Sequence, residues 1–457
     1  MTAYAVRHSA VAATADLALI AAHYSDRPWL QLLDSAAPGH PDHRWQLLVL
    51  NPLATLTSHH GRHQLNWRDG RSTETASDLV ALQHQLLAEL GPRPAHPELP
   101  FVGGLVGYWG YDLARQFERL PQQASADLSL PDLAIGLYDQ ALLLDLQQHQ
   151  LYALANSDAE AQQLLTEAQQ RLSRPAAEHR FQLTAGWRSN LSKAQYLERF
   201  ARVQQHLRDG DCYQVNLAQR FSAPFSGSPW AAYARLRQAN GAPFGAYIQL
   251  PQGTVLCLSP ERFLQLKGKQ LTTRPIKGTR PRVEDPAQEQ AVMAELASST
   301  KERAENVMIV DLLRNDLGKV AEPGSVHVPE LFTVERYPYV YHLVSTVSAR
   351  LATGHSGLTA LRACFPGGSI TGAPKLRAMS VIDALEPQRR NLYCGAILYL
   401  SACGHMDSNI AIRTALCCDG QIHVWGGGGL VIDSDGEAEY RETLDKLARI
   451  LPLLEQP

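Results

Sequence analysis

Strand-like and helical segments alternate along the chain from about residue 190 to its end, and no short repeat is visible. Short apolar runs bounded by turn residues predict strands, whereas apolar residues at helical spacing predict helices. This alternation predicts one large α+β region, residues 186–457, onto which an amino-terminal region, residues 1–185, packs. We predict strands at 254–258, 262–266, 393–401, 408–414 and 421–425, and helices at 158–173, 192–210, 289–304, 305–315, 357–364, 374–385 and 437–451.

The composition excludes several classes of protein. Hydrophobic residues make up 45% of the 457 residues, which is enough for a core, and the formal net charge of −3 leaves no basic excess for nucleic acid. No apolar run approaches the roughly 18 residues that span a bilayer. The seven cysteines form no C-x-x-C pair or zinc-like cluster, so we expect reduced thiols. Together with a poor signal peptide at the amino terminus, these features predict a cytoplasmic enzyme that binds neither nucleic acid nor membrane.

Two pairs of glutamates have the spacing that places both side chains on one side of a helix. Glu302 and Glu305 form the first pair, and Glu439 and Glu442 form the second. Two helices that each present a carboxylate can hold a hard cation such as Mg²⁺, while a ligand supplies further oxygens. Solvated helix faces are the alternative, and spacing alone favours them.

Four consecutive glycines, Gly426–Gly429, follow a predicted strand. Such a run lets backbone N–H groups approach a bound anion closely, but a tight bend with several positive φ angles is the simpler alternative. Arg413 and Lys446 could supply cationic partners for a carboxylate.

Three further residues are candidates for chemistry. Lys277 lies in the segment PIKGT, and a lysine in a partly dry pocket becomes a nucleophilic amine, although most such lysines are simply solvated. Glu261 could act as a general acid, or could pair with Arg262 or Arg274. His342 alone is more simply structural. The residues by themselves therefore predict an α+β enzyme that acts on an anionic small molecule, with a candidate magnesium site.

Taken in order, the motifs of this chain resemble those of the chorismate-utilising enzymes, which include anthranilate, aminodeoxychorismate, isochorismate and salicylate synthases. The collinear motifs are PWLQLLDS, GGLVGYWGYD, GDCYQVNLAQRF, PERF, PIKGTRPR, RAENVMIVDLLRNDLGKV, YHLVST, GGSITGAPKLRAM, AIRT and EAEYRETLDK. The resemblance implies a large two-subdomain chorismate-binding fold with antiparallel sheets packed against helices.

The resemblance also implies roles for the residues that match the family's motifs. Lys277 matches a lysine that attacks C2 of chorismate, and Glu261 matches an acid that protonates the departing C4 hydroxyl. Glu305 and Glu442 match the ligands of a Mg²⁺ ion that bridges to the ring carboxylate. The residues that match contacts to the substrate are His342, Ser369, Tyr393, Arg413, Gly427 and Lys446.

Two positions separate the branches of this family. Anthranilate synthases have alanine at the position of Lys277, where aminodeoxychorismate synthases commonly have lysine, and isochorismate-type enzymes place a base lysine at the position of Gln214. Both positions favour a transferase of the transaminase class that makes 4-amino-4-deoxychorismate from chorismate and ammonia, for 4-aminobenzoate and folate synthesis. The alternatives are anthranilate synthase component I and, from another class, a non-catalytic protein that binds chorismate or an aromatic amino acid.

The resemblance also implies a partner subunit and a second small-molecule ligand. No cysteine lies in the glycine-rich turn of a glutamine amidotransferase, so a separate amidotransferase subunit should supply the ammonia. The amino-terminal region resembles the tryptophan pocket of the family, with Ser35, Pro243 and Phe244 at matching positions. The loop after Ser35 departs from that pattern, since it is rich in proline, glycine and histidine.

Overall fold

Two large antiparallel sheets contain the strands of the protein. The computed structural model describes residues 4–175, 178–283, 285–337 and 340–456. Within these ranges, the first sheet has 13 strands and the second has 12. The first sheet contains β1 (Ala5–Ala10), β2 (Gln31–Asp34), β3 (Trp45–Val49), β9 (Ala141–Asp145), β10 (Gln150–Ala155), β11 (Phe181–Leu183), β12 (Arg188–Ser189), β13 (Gln214–Gly227), β14 (Phe244–Leu250), β15 (Gly253–Ser259), β21 (Gly372–Ala373), β24 (Thr414–Cys418) and β25 (Gln421–Leu430). The second sheet contains β4 (Ala54–His59), β5 (Arg62–Trp67), β6 (Ser72–Thr75), β7 (Gly104–Trp109), β8 (Leu133–Tyr138), β16 (Arg262–Lys267), β17 (Gln270–Thr273), β18 (Ile276–Pro281), β19 (His327–Arg336), β20 (Val340–Arg350), β22 (Ala396–Ser401) and β23 (Met406–Asn409).

Each sheet joins a block of strands from before residue 185 to a block of later strands. In the first sheet, β2 lies beside β14, with Leu32 opposite Tyr247. In the second sheet, β7 lies beside β22, with Tyr108 opposite Ile397. The amino-terminal residues therefore complete the same two sheets that carry the later motifs.

Most of the described α-helices begin where the sequence supplies a side-chain cap. Ser192 accepts a hydrogen bond from the backbone N–H of Gln195, and the Gln195 side chain accepts one from the N–H of Ser192, which closes a capping box at the start of α4. Gly210, with a φ of +75°, follows the end of this helix. The α-helices of the described residues are α1 (Leu17–Ala22), α2 (Leu79–Ala88), α3 (Asp158–Leu172), α4 (Lys193–Arg208), α5 (Pro229–Asn240), α6 (Pro286–Ser298), α7 (Thr300–Gly318), α8 (Gly357–Cys364), α9 (Lys375–Leu385), α10 (Gly436–Asp445) and α11 (Leu451–Glu455).

The main hydrophobic core combines side chains of both sheets with those of the packed helices. Ile248 of β14, Leu264 of β16 and Ile309 of α7 are all fully buried members of it. Because the strands and α7 are fixed by this core, the polar residues at their ends have defined positions. None of the described helices is long and apolar enough to cross a bilayer.

The α+β class and the antiparallel sheets packed against helices are confirmed, but several element boundaries differ from the prediction. The helical break lies at Ser299 and not at 304/305, because Ser299 has a non-helical backbone and its side chain caps α7. The single strand predicted at 408–414 is wrong, since Arg413 has a left-handed φ of 51° that separates β23 from β24. The helix predicted at 437–451 ends at Asp445, and α11 begins at Leu451.

Candidate active site

Lys277 lies at a bulge in β18. Here two residues, Lys277 and Gly278, lie opposite one residue of β20, Leu343. A bulge of this kind bends its strand and changes the direction of a side chain. Gly278 has a φ of +82°, which favours glycine, and a Cβ atom there would lie 3.0 Å from the Glu302 carboxylate. The sequence predicts a turn around Lys277, whereas the structure has a bulged strand.

Ser369 connects Lys277 with Glu261. The Lys277 Nζ atom donates to the backbone oxygen of Ser369 at 3.3 Å, and the Ser369 hydroxyl donates to Glu261 Oε1 at 2.8 Å. Glu261 is 5% exposed, and neither neighbouring arginine pairs with it. Arg262 and Arg274 both pair with Asp42 instead.

Burial favours the uncharged form of both groups. It raises the pKa of Glu261 to about 7, against the opposing effects of the Ser369 hydrogen bond and the Lys277 charge. It also lowers the pKa of Lys277, although the carboxylates of Glu305 and Glu261 oppose this shift. A carboxyl group that keeps its proton therefore lies close to an amine that loses one easily.

His342 and Arg413 form a second part of the site. The His342 Nδ1 atom lies 2.8 Å from the hydroxyl of Thr279. Burial, together with the charge of Arg413, lowers the pKa of His342 to about 3, so the ring is neutral at neutral pH. Within the part of the chain that the structure describes, no carboxylate forms an ion pair with Arg413, and its guanidinium is therefore available for a bound anion.

The four glycines lie within β25, and none of them has a positive φ angle, so the tight bend considered as the simpler alternative is wrong. They are required because other groups approach the strand closely. A Cβ atom at Gly426 would lie 2.3 Å from the backbone oxygen of Thr443 in α10. At the next three positions it would lie 2.9 Å from the Tyr393 hydroxyl, 3.1 Å from Glu439 Oε2 and 2.4 Å from Gln214 Nε2, respectively.

Lys446 joins this strand to the carboxylates of α10. Its Nζ atom donates to the backbone oxygen of Gly427 at 2.8 Å and pairs with Glu442 at 2.7 Å. Because Tyr393 lies against the same glycine, the structure brings Tyr393, Gly427 and Lys446 together at one place.

Carboxylates of α7 and α10 approach each other beside Lys277. Burial raises the pKa of Glu305, and the negative charges of Glu302 and Glu442 raise it further. Glu439 Oε2 is buried without a hydrogen-bond partner. Such a donor set fits a hard cation that takes one or two protein carboxylates. Among the described residues, no three or more His, Cys, Asp or Glu side chains form a complete metal site, so a bound ligand would have to supply the other oxygens.

A separate cavity of about 550 Å³ contains the three residues of the predicted tryptophan pocket. Ser35, Pro243 and Phe244 all line it, together with Asp42 and Arg262. The Arg262 guanidinium lies 4.7 Å from the centre of the Phe244 ring.

Comparison with known families identifies the group to which this chain belongs. The sequence profile described as chorismate binding enzyme matches residues 32–452. This chain is a member of the chorismate-binding enzyme family. Its fold is similar to that of anthranilate synthase component I from Streptococcus pneumoniae, with a TM-score of 0.79 and 30% identity over 89% of this chain and 92% of that one.

Two relatives represent different branches of the family. Aminodeoxychorismate synthase component 1 of Klebsiella aerogenes is 52% identical over 94% of this chain and 95% of its own length. Anthranilate synthase component 1 of Streptomyces coelicolor is 43% identical over 82% of this chain and 76% of its own length.

Thr279 was not singled out from the sequence, and Glu302 and Glu439 were singled out by their spacing alone. Thr279 contacts His342, Glu302 lies against Gly278, and Glu439 lies against Gly428. The i,i+3 spacing of the glutamates was a visible signal for Glu302 and Glu439, because both lie one turn before a residue that matched a family motif.

Proposed function

We propose that this chain converts chorismate and ammonia to 4-amino-4-deoxychorismate, for 4-aminobenzoate and folate synthesis. The observation that carries the proposal is the connection of Lys277 to Glu261 through Ser369, in surroundings that favour a neutral amine and a protonated acid. The relative named aminodeoxychorismate synthase component 1, which is more similar than the anthranilate synthases compared above, supports the same branch.

In the first step, the neutral amine of Lys277 forms a bond to C2 of chorismate. The two ring double bonds shift, the bond from C4 to its hydroxyl breaks, and the hydroxyl takes the proton of Glu261 and leaves as water. A carboxyl with a pKa of about 7 is suited to this role, because it is protonated in an appreciable fraction of molecules at neutral pH.

In the second step, ammonia forms a bond to C4. The double bonds shift back, the bond from C2 to Lys277 breaks, and the lysine leaves as an amine. The amino group therefore remains at C4, which distinguishes this product from anthranilate.

The carboxylates of chorismate require several cationic and donor groups. Arg413 has no carboxylate partner within the described ranges, and it lies close enough to His342 to lower the pKa of that ring. Lys446 and Tyr393 meet at Gly427. These groups are suited to orient the substrate between Lys277 and Glu261.

We also propose Mg²⁺ as the cofactor, held by Glu305 and Glu442. When bound, it would neutralise the ring carboxylate of the substrate. We expect Glu305→Ala and Glu442→Ala to lose most activity while staying folded, and EDTA to inhibit the wild type reversibly. Full activity in EDTA, or in either variant, would rule out this assignment.

The proposed function implies a partner and a compartment. We propose that a glutamine amidotransferase, the component II of such an enzyme, supplies ammonia to this chain. The reaction needs no membrane, and we place it in the cytoplasm.

The decisive experiment is incubation of the purified chain with chorismate, Mg²⁺ and ammonium. Identification of the product by mass and absorbance distinguishes 4-amino-4-deoxychorismate from anthranilate and isochorismate. Anthranilate as the main product would assign the chain to the other branch, and binding without turnover would indicate a non-catalytic protein.

We further propose that tryptophan occupies the 550 Å³ cavity beside Ser35, Pro243 and Phe244. The apolar walls and the polar groups of Asp42 and Arg262 suit an aromatic amino acid. We expect tryptophan to raise the thermal midpoint of the wild type. No change at millimolar concentration would contradict this proposal.

A further inference from the structure

The β2–β3 loop, residues 35–44, contacts the segments that carry Glu261 and Lys277. Asp42 forms hydrogen bonds with two other residues of this loop. The Asp42 backbone oxygen accepts a hydrogen bond from the Ser35 hydroxyl at 3.0 Å, and its N–H donates to His40 Nδ1 at 3.1 Å. The loop thus holds its own shape around Asp42.

The Asp42 carboxylate bridges two arginines from different strands. Oδ1 lies 2.9 Å from Arg262, and Oδ2 lies 3.3 Å from Arg274. Arg262 directly follows Glu261 along the chain, and Arg274 lies three residues before Lys277. One carboxylate therefore ties together the segments that carry the proposed acid and the proposed nucleophile.

Both arginines also pair with other carboxylates, which fixes the geometry of their ion pairs with Asp42. Arg262 makes two hydrogen bonds to Asp407, at 2.9 and 3.0 Å, and Arg274 also pairs with Glu335. The side chains of Arg262, Asp42 and Arg274 are 9%, 18% and 18% exposed. Ion pairs that are this little exposed are screened weakly and hold their geometry better than surface pairs.

The same loop lies near the ring of His342, with the side chain of Tyr337 between them. The His40 ring lies 4.4 Å from the ring of Tyr337, and Tyr337 lies edge-on against His342 at 4.6 Å between ring centres. Through these packed rings the loop limits the orientation of His342.

We propose that Asp42 is a positioning residue, which fixes the separation of Glu261 and Lys277 through Arg262 and Arg274. The proposal rests on the function proposed above. Asp42 contacts none of the residues assigned to the substrate carboxylates, which are Tyr393, Arg413, Gly427 and Lys446. Its loss should therefore reduce kcat and leave the KM for chorismate nearly unchanged.

The test compares Asp42→Asn with Asp139→Asn. Asp139 is a matched control, because it is 5% exposed, pairs with Arg68 at 2.9 Å and lies in the same amino-terminal region away from the catalytic strands. We expect Asp42→Asn to lower kcat about tenfold or more, as a displacement of reacting groups by a fraction of an ångström does. We expect KM to change by less than a factor of about 3, Asp42→Glu to recover part of kcat, and Asp139→Asn to keep kcat while losing thermal stability.

A second readout does not depend on the identity of the reaction. Lys277 is labelled with acetic anhydride in the absence of substrate, and its rate is divided by that of the exposed Lys193. Release of Arg274 should loosen β18, so labelling of Lys277 should increase severalfold in Asp42→Asn and in Arg274→Gln, but not in Asp139→Asn. Failure of the wild type to form 4-amino-4-deoxychorismate would overturn the proposed function, whereas these labelling rates would still decide the role of Asp42.

Unchanged kcat and unchanged labelling in Asp42→Asn would overturn the inference. So would a loss of activity that equals the loss of folded protein, or that Asp139→Asn reproduces. A rise in KM with kcat preserved would place Asp42 in substrate binding, which also contradicts a positioning role.

Discussion

Glu261 and Lys277 show how one buried pocket shifts the pKa values of an acid and a base in opposite directions. Burial opposes the charged form of each group, so the acid keeps its proton and the amine loses one more easily. Ser369 connects the two without supplying a charge. The proposed chemistry requires both neutral forms at the same time, and the pocket favours both.

The raised pKa of Glu261 predicts a stability that depends on pH. The folded state binds this proton more tightly than the unfolded state, where the pKa is 4.5, so the wild type loses stability as the pH rises from about 4.5 through about 7. The side chain in Glu261→Gln cannot ionise, so this variant does not lose stability in this way as the pH rises. We compare the free energies of unfolding of Glu261→Gln and the wild type, measured with urea. The value for the variant minus that for the wild type should increase by about 2 kcal/mol from pH 5 to pH 8.

The control for this measurement is Glu167→Gln, at an exposed position of α3. Its stability relative to the wild type should be the same at both pH values. The same result for Glu261→Gln would mean that Glu261 is already ionised at pH 5 in the folded protein, and it could not then serve as the acid.

Lys277 should become covalently modified when ammonia is absent. With chorismate and Mg²⁺ alone, the first step can occur but the second cannot, so an adduct with the mass of chorismate less one water should accumulate on Lys277. Intact mass and peptide mapping measure it. Lys277→Ala should form no adduct and lose at least about 100-fold in rate with the partner subunit and glutamine.

Lys301→Ala is a suitable comparison, because Lys301 is an exposed cation whose charge also acts on Glu305 and Glu442. This variant should still form the adduct. An undiminished rate in Lys277→Ala, with no adduct in the wild type, would make Lys277 an electrostatic contact only.

Most residues of the site could be proposed from the sequence because each lies in a short motif with its neighbours. Thr279, Tyr337 and Asp42 could not, because their importance depends on contacts between segments that are far apart along the chain. A threonine, a tyrosine or an aspartate in a loop has no local pattern that predicts such a contact.

At the level of elements, the glycine segment of β25 shows where a local pattern was misleading. Four glycines predict a bend when only conformational freedom is considered. In the structure they form an extended strand, and the missing side chains make room for α10, Tyr393 and Gln214. The two explanations differ in what packs against the strand. The glycine sequence itself does not specify those neighbours.

Alanine substitutions in β25 should therefore have different effects at different positions. At Gly426 the new Cβ would lie 2.3 Å from the backbone oxygen of Thr443, so α10 must move, and we expect a loss of about 2 kcal/mol or more in free energy of unfolding. At Gly428 it would meet the ends of two carboxylates, Glu439 and Glu442, at 3.1 and 3.5 Å. We expect Gly428→Ala to lose less than about 1 kcal/mol but to bind Mg²⁺ more weakly.

Urea unfolding and a magnesium titration of both variants measure these effects. Equal destabilisation by Gly426→Ala and Gly428→Ala would contradict the close approach of α10. Unchanged magnesium affinity in Gly428→Ala would contradict a metal site at these carboxylates.

At the scale of the whole molecule, the shared sheets explain why the fold class was easier to predict than the arrangement. The alternation of elements indicated α+β from local patterns alone. The pairing of β2 with β14 and of β7 with β22 joins residues about two or three hundred positions apart. No local pattern in either partner specifies such a pairing, and these pairings place Asp42 of the β2–β3 loop beside Arg262 and Arg274.

The cysteines bear on the source of the nitrogen atom in the product. Hydrolysis of glutamine by an amidotransferase needs a cysteine thiolate, and a reactive cysteine has a lowered pKa. Burial instead raises the pKa of Cys212 and Cys257 to about 11 and that of Cys364 and Cys394 to about 12.

Two of the remaining cysteines are equally unsuited to this role, and the third has its thiol in a hydrogen bond. Burial also raises the pKa of Cys417 and Cys418, and the half-buried thiol of Cys403 donates to the hydroxyl of Ser401. We therefore expect the purified chain to release no ammonia from glutamine and to make no product with glutamine alone. Ammonium, or glutamine together with the amidotransferase subunit, should restore product formation. Release of glutamate from glutamine by the isolated chain, measured with an enzyme-coupled assay, would show that this reasoning from the thiols is wrong.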